Sequence, residues 1–297
     1  LLDADSRVDL SISNGMWNNT DVNIKETFTT NIMANYDATI QTLDFNDEAK
    51  TKKIINSWAF EKTKGNITDI FKDDNDISNS KFILCNTVYF NGKWTVPLKK
   101  ELTQKNSFIN IDNSHSNVET MVSEREGFLF CTTETADIIG LPYGNRAYSM
   151  YVILPKVKDN IRHEIQYNKF IDGIDFDWWE ETKKDMNYSS YEVFIPKFKI
   201  ETNCPNIGLT TLTELSSIIF SHNMKNMTDS EIGRLQINQY NTIEVSENGT
   251  TATSVSEISS GITSAFSSKF IVDRPFIFLI EEQSTGAILF MGKVVKL

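Results

Sequence analysis

Three histidines, His115, His163 and His222, and three cysteines, Cys85, Cys131 and Cys204, are the side chains of this 297-residue sequence best suited to metal or nucleophile chemistry. Their spacing supports neither. The histidines stand alone, without the short intervals a zinc site needs. The cysteines are too scattered for a disulfide framework or a zinc motif, and an odd number leaves at least one free thiol. Cys85 ends the apolar run Phe82-Ile83-Leu84-Cys85 and reads as a small buried hydrophobe. The acidic pairs Glu180-Glu181 and Glu281-Glu282 are neighbours in sequence, so on a helix or strand they point apart. They read as solvated surface and not as a catalytic dyad. Trp178-Trp179 reads as helix packing, because no basic groove accompanies it. There is no Gly-x-Ser-x-Gly elbow, phosphate loop or dinucleotide fingerprint. The chain is not expected to be an enzyme, and no metal or cofactor is implied.

A different chemistry, that of the backbone, is offered by Glu247-Asn248-Gly249-Thr250-Thr251-Ala252-Thr253-Ser254-Val255-Ser256. The segment starts acidic, turns on a glycine and continues in small, mostly polar, β-tolerant residues without a large apolar anchor. It has little to bury and is expected to be exposed, yet nothing in it prevents strand formation. Those two options make it a candidate conformational switch.

The elements that must position it are mostly strands. Apolar runs or alternations over 82–90, 148–154, 192–200, 276–280 and 288–291 predict strands, the last two flanking a turn at Ser284-Thr285-Gly286. Helices are predicted over about 47–64, 167–184 and 208–219. The first has an acidic start at Asn46-Asp47-Glu48, Ile54, Ile55, Trp58 and Ala59 on one side, and Gly65 to close it. Without a regular βαβ alternation this mixture predicts an α+β fold. No repeat, low-complexity tract or linker divides the chain, so 1–297 is expected to be a single domain. A net charge of −11 argues against a nucleic-acid or anionic-membrane partner, and no apolar run spans a bilayer.

Taken in order, five blocks carry a family resemblance. Asn86-Thr87-Val88-Tyr89-Phe90-Asn91-Gly92-Lys93-Trp94 resembles a serpin strand of the main sheet. Leu141-Pro142-Tyr143 with Ser149-Met150 and Leu154-Pro155, and then Ile195-Pro196-Lys197-Phe198, resemble the next two blocks. The run from Glu244 to Ala252 resembles the serpin hinge. Asp273-Arg274-Pro275-Phe276 with Leu289-Phe290-Met291-Gly292-Lys293 resembles the C-terminal signature. The resemblance starts near Leu10-Ser11-Ile12-Ser13-Asn14. The chain begins at Leu1 without a signal-like segment, and the first family helices are expected to be missing.

The resemblance implies a large central mixed or antiparallel sheet, further smaller sheets, surrounding helices and an exposed reactive-centre loop at 247–268. It implies a suicide inhibitor of serine proteases, whose cleaved loop enters the main sheet while the enzyme stays covalently attached. Inserted, Thr250, Ala252, Ser254, Ser256, Ile258 and Ser260 would face inward; none is charged or proline, and Glu257 falls on the outward set. Gly249 gives backbone freedom where the chain must swing.

Lys197 and Glu247 match positions of a salt bridge where insertion begins, with Trp94 packed beneath. A histidine common in the family opposite Asn86 is here Gln239, which could still bond to Asn86 without pH dependence. Leu98 replaces a usual phenylalanine. By the spacing typical of the family, the resemblance implies Thr263-Ser264 as the reactive bond, with Ser264-Ala265 as the alternative. No Arg or Lys lies between Glu247 and Ser268, so the expected target is elastase-like or, through Phe266, chymotrypsin-like, and not trypsin-like.

Competing readings are a non-inhibitory carrier, storage protein or chaperone, and an inactive truncated serpin. Thr253 and Val255, bulkier than the usual alanines, favour the first of these. The expected species is a monomer, and the sequence lends no support to a glycosaminoglycan partner. Acceptor motifs at Asn18, Asn66, Asn187 and Asn226 lean toward a secreted glycoprotein, with an intracellular location as the alternative. Asn248 is a fifth such motif, but a glycan there would obstruct insertion.

Overall fold

A computed structural model describes residues 5–72, 74–157, 163–205, 224–230, 234–247 and 268–297. The expected helix at 208–219, the hinge from Asn248 to Ser256 and the bonds at Thr263, Ser264 and Ala265 lie outside these residues.

The chain divides into two compact units. One comprises residues 10–90 and 200–243, the other residues 1–9, 91–199 and 244–297. The boundaries fall inside strands, so no linker composition marks them in the sequence.

The first unit is built on β1 (Val8–Asn19), α1 (Glu26–Tyr36), β2 (Thr39–Leu43), α2 (Glu48–Lys62), β3 (Ser80–Gly92), β10 (Phe198–Pro205) and β11 (Arg234–Val245). Its sheet has the order β10-β11-β3-β1-β2, with β1 parallel to β2 and β11 parallel to β3. Alternation along β3 sends Ile83 and Cys85 to a core with Trp17, Ile55, Trp58, Ile70, Phe71 and Tyr240. Phe82, with Leu84 beside it, belongs to another cluster with Met16, Leu235 and Met227. Both faces are apolar, which is why the run reads as continuous. In α2, Asp47 accepts from the Lys50 amide at 3.3 Å, and Ile55, Trp58 and Ala59 are buried. Gly65, at φ +82°, returns its amide to the Phe60 carbonyl at 2.7 Å and ends the helix. The sequence carried no expectation of α1: it has no side-chain cap and no buried residue.

The second unit contains β4 (Gln104–Ile109), β5 (His115–Val122), β6 (Glu126–Thr132), β7 (Ala136–Tyr143), β8 (Tyr148–Pro155), α3 (His163–Ile171), α4 (Phe176–Lys184), β9 (Asn187–Pro196), β12 (Lys269–Ile271), β13 (Phe276–Glu282) and β14 (Ala287–Val294). Its sheet follows the path β14-β13-β8-β7-β6-β9-β5-β4, with β12 beside β9. The strand β9 makes this one sheet by changing partners: its first half pairs with β6, its last residues with β5. Tyr167 and Phe170 of α3 and Trp179 of α4 pack with Ile138, Tyr151, Ile153, Ile277 and Leu279.

Three expectations are corrected. The helix over 167–184 is two helices: the first ends before Gly173, and Asp175 caps the second by accepting from the Trp178 amide at 2.8 Å. The strand over 192–200 is divided between β9 and β10 at Lys197, whose amide instead donates to the Glu119 carbonyl at 2.8 Å. Glu281 and Glu282 are not solvated surface; they are 3% and 2% exposed.

Each buried acid has its own partners. Glu281 accepts from Trp179 Nε1 at 2.8 Å and pairs with Lys183 at 3.0 Å, and Lys183 also pairs with Glu180 at 2.6 Å. Burial tends to raise the Glu282 pKa. Hydrogen bonds from the hydroxyls and amides of Thr285 and Ser284 outweigh that and bring it down to about 2.

Two outcomes follow from these acids. Lys183→Met leaves Glu281 buried without its cation and should cost about 3 kcal/mol in urea denaturation. For Glu282 the folded pKa lies below the ordinary 4.5, so its contribution is present above pH 4.5 and lost as pH falls toward about 2. Glu282→Gln should therefore lower stability at neutral pH and flatten its decline in that acid window, read from melting temperature against pH.

Candidate functional site

Two places in the fold hold the residues singled out by sequence. The first gathers around Glu247 at the end of β11. Its carboxylate is 3.1 Å from Lys197 Nζ and accepts from Thr103 Oγ1 at 2.8 Å. Lys197 also reaches Glu119 on β5 at 3.2 Å. The Glu247 side chain is 9% exposed and Lys197 28%, so this pair is shielded more than a surface ion pair. Burial works against both charges. At Lys197 the Glu247 and Glu119 carboxylates outweigh it and hold the pKa above the usual lysine value. At Glu247 its own backbone, Thr103 and Lys197 outweigh it and hold the pKa below the usual carboxylate value.

Trp94 completes this cluster from the segment after β3. Its ring stacks on Tyr143 at 4.4 Å, and Nε1 donates to the Ser246 carbonyl at 2.8 Å. The segment is fixed to the end of β7: Thr95 donates from its amide to Pro142 and from Oγ1 to the Gly144 carbonyl, each at 2.8 Å. Gly144 favours glycine. It sits at φ +50°, and an added Cβ would lie 1.8 Å from a carboxylate oxygen of Asp5. Thr103 and Glu119 are neighbours of this pair that sequence reading missed. Thr103 and Glu119 are far from Glu247 in sequence, and no local pattern distinguishes either.

At the second place β11 lies directly against β3, with Gln239 opposite Asn86 in the register. The Asn86 amide donates to Asn14 Oδ1 at 3.0 Å and to the Ser13 carbonyl at 3.4 Å. Among the described residues the expected Gln239–Asn86 bond is not formed, because the Asn86 donor is turned toward β1. Asn14, Asn86 and Gln239 line a groove of about 420 Å³ with Phe28 and Ile237. Among the described residues no cluster of side chains could hold a metal ion, and no helix is long and apolar enough to cross a membrane.

Of the four acceptor asparagines, Asn66, Asn187 and Asn226 are exposed, whereas Asn18 is 2% exposed. Its amide donates to the Val22 and Asn19 carbonyls at 3.0 and 3.2 Å. A glycan at Asn18 is incompatible with this packing, so that expectation is withdrawn. Leu98 is buried.

Substituting Lys197 by methionine leaves the shielded Glu247 carboxylate with only neutral donors and should destabilise by about 1–2 kcal/mol. Glu119→Gln should cost less than half as much, since that side chain is 60% exposed. Urea midpoints of the two variants check the order.

Comparison with known proteins agrees with this architecture. The chain is 32% identical to an uncharacterized serpin-like protein of Methanosarcina acetivorans over 97% of its own length and 68% of the relative's. It is 27% identical to plasminogen activator inhibitor 1 of Bos taurus, over 97% of this chain and 72% of that one. The fold superposes on thyroxine-binding globulin in complex with thyroxine with a TM-score of 0.86 at 22% identity, covering 100% of this chain and 78% of the other. The pattern of the family Serpin (serine protease inhibitor) matches residues 1–297, and the chain belongs to that family.

Proposed function

We propose that this chain inhibits serine-type endopeptidases as a suicide substrate, by adding its own cleaved loop to the five-stranded sheet. The observation that carries this reading is the direct parallel pairing of β11 with β3, from Leu235 opposite Phe82 to Thr242 opposite Tyr89. A strand that turns back after β11 runs antiparallel to β11 and therefore to β3. Inserted between them, it exchanges one parallel ladder for two antiparallel ones, which are slightly stronger per residue. The closed sheet then lies above its lowest free energy.

The loop residues suit that step. Thr250, Thr251, Ala252, Thr253, Ser254, Val255 and Ser256 offer no charge or proline to oppose burial. The cluster of Glu247, Lys197, Thr103 and Trp94 stands where the segment leaves β11, and its ion pair holds that end until the loop is cut. In the covalent step the protease serine hydroxyl adds to the Thr263 carbonyl. The Thr263–Ser264 bond breaks, the Ser264 amine departs with a proton, and Thr263 stays esterified to the enzyme. Small residues around that bond suit an elastase-like pocket, and Phe266 a chymotrypsin-like one in a shifted register. Action as a monomer outside the cell accompanies this reading, with glycans at Asn66, Asn187 or Asn226.

Incubation with pancreatic elastase or chymotrypsin should give an SDS-stable complex, with cleavage mapped near Thr263 by mass spectrometry. Thr250→Arg should abolish the complex and leave rapid cleavage, because an inserted arginine would be buried without a partner. Simple cleavage of the unaltered chain, with no complex and no gain in heat resistance, would favour the carrier reading instead.

A further inference from the structure

Beside the stripe that packs into the core, α2 carries a second one. Ala49, Lys52, Lys53, Asn56, Ser57 and Phe60 recur at intervals of three and four, so they share one face of the helix. After the turn at Gly65 the chain returns along that face. Asn56 ties the returning segment down: its Nδ2 donates to the Phe71 carbonyl and its Oδ1 accepts from the Phe71 amide, each at 2.9 Å. Ile70 and Phe71 are buried, whereas Thr68, Asp69 and Lys72 stay exposed. Between helix and segment lies a groove of about 770 Å³, a size that suits a small-molecule ligand. The stripe from Ala49 to Phe60 is about 17 Å long at the rise of a helix.

The groove has a cationic part and an aromatic end. Lys52 is already paired with Glu48 at 3.1 Å. Lys53, one turn before Asn56, and Lys72, next to the tethered Phe71, have no carboxylate partner among the described residues. One turn beyond Asn56, Phe60 is 54% exposed, and its ring is positioned over Gly65, where an added Cβ would come within 3.3 Å of it. Lysine stems extend that apolar surface while their ammonium groups stay at the rim. Asp69 is the one acid among the lining residues, and it accepts from Thr68 Oγ1 at 3.1 Å. In a chain of net charge −11, a carboxylate on the wall counts against a polyanion and in favour of a ligand with a single negative group. We propose that this groove binds an amphipathic organic anion, its acidic group at Lys53 and Lys72 and its apolar body on Phe60. None of these residues takes part in the inhibition proposed above, so this site stands or falls apart from it.

The test titrates the full chain calorimetrically with 2-naphthoate and with its uncharged analogue 2-naphthalenemethanol. Naphthoate should bind about tenfold more tightly than the alcohol, the equivalent of one charge-assisted hydrogen bond, and added salt should shrink that advantage. Lys53→Gln combined with Lys72→Gln should erase the advantage and leave the alcohol unaffected. Phe60→Ser should weaken both probes. Lys105→Gln, a charge change of the same kind on β4, should alter neither. All four positions are exposed, so the variants should keep the melting temperature of the unaltered chain. Equal affinity for the two probes would overturn the proposal, as would naphthoate binding that the paired lysine substitutions leave intact. No binding of naphthoate at millimolar concentration would do the same.

Discussion

The parallel ladder between β3 and β11 is the constraint on which the rest depends. Parallel strands normally need a long crossover and are covered on both faces. Here Leu235 to Thr242 pairs with Phe82 to Tyr89, and apolar clusters lie on both faces of β3. Such burial makes the ladder durable, but its hydrogen bonds remain of the slightly weaker kind. It also encloses a polar group, Thr87, that a purely apolar strand would not carry.

Electrostatics concentrates where β11 ends. Glu247 is held by a hydroxyl and an ammonium, and Lys197 is shared between two carboxylates. A partly shielded cluster of this kind adds little net stability compared with an apolar replacement, but losing one member leaves a charge exposed to a poor dielectric. It fixes the end of β11 against Thr103 and Lys197. The buried group of Trp179, Lys183 and Glu281 has the opposite character. It ties α4 to β13 through the Trp179 and Lys183 contacts to Glu281.

Much of this was legible in the residues, because some signals are local. Asp47 and Gly65 bracket α2, and the runs at β3, β8, β13 and β14 announce themselves by apolar content and turn residues. Gly173 and Asp175 could have divided 167–184 into two helices, since a terminating glycine and a capping aspartate were both in view. The reading of Glu281-Glu282 failed for a deeper reason. Acid pairs are usually solvated, and only the arrival of Lys183, Trp179, Ser284 and Thr285 makes burial tolerable.

By itself the sequence determined the family, the α+β class and the composition of a segment able to become a strand, since those follow from residue type and order along the chain. Tertiary structure alone decided that Glu119 and Thr103 join Lys197 at Glu247, that Asn86 bonds to Asn14 and not to Gln239, and that Asn18 is buried. It also decided that the Thr87 hydroxyl has no partner among the described residues. Those facts depend on which distant side chains meet, and whether a charge or hydroxyl is satisfied is a property of its three-dimensional neighbours, which no local pattern encodes.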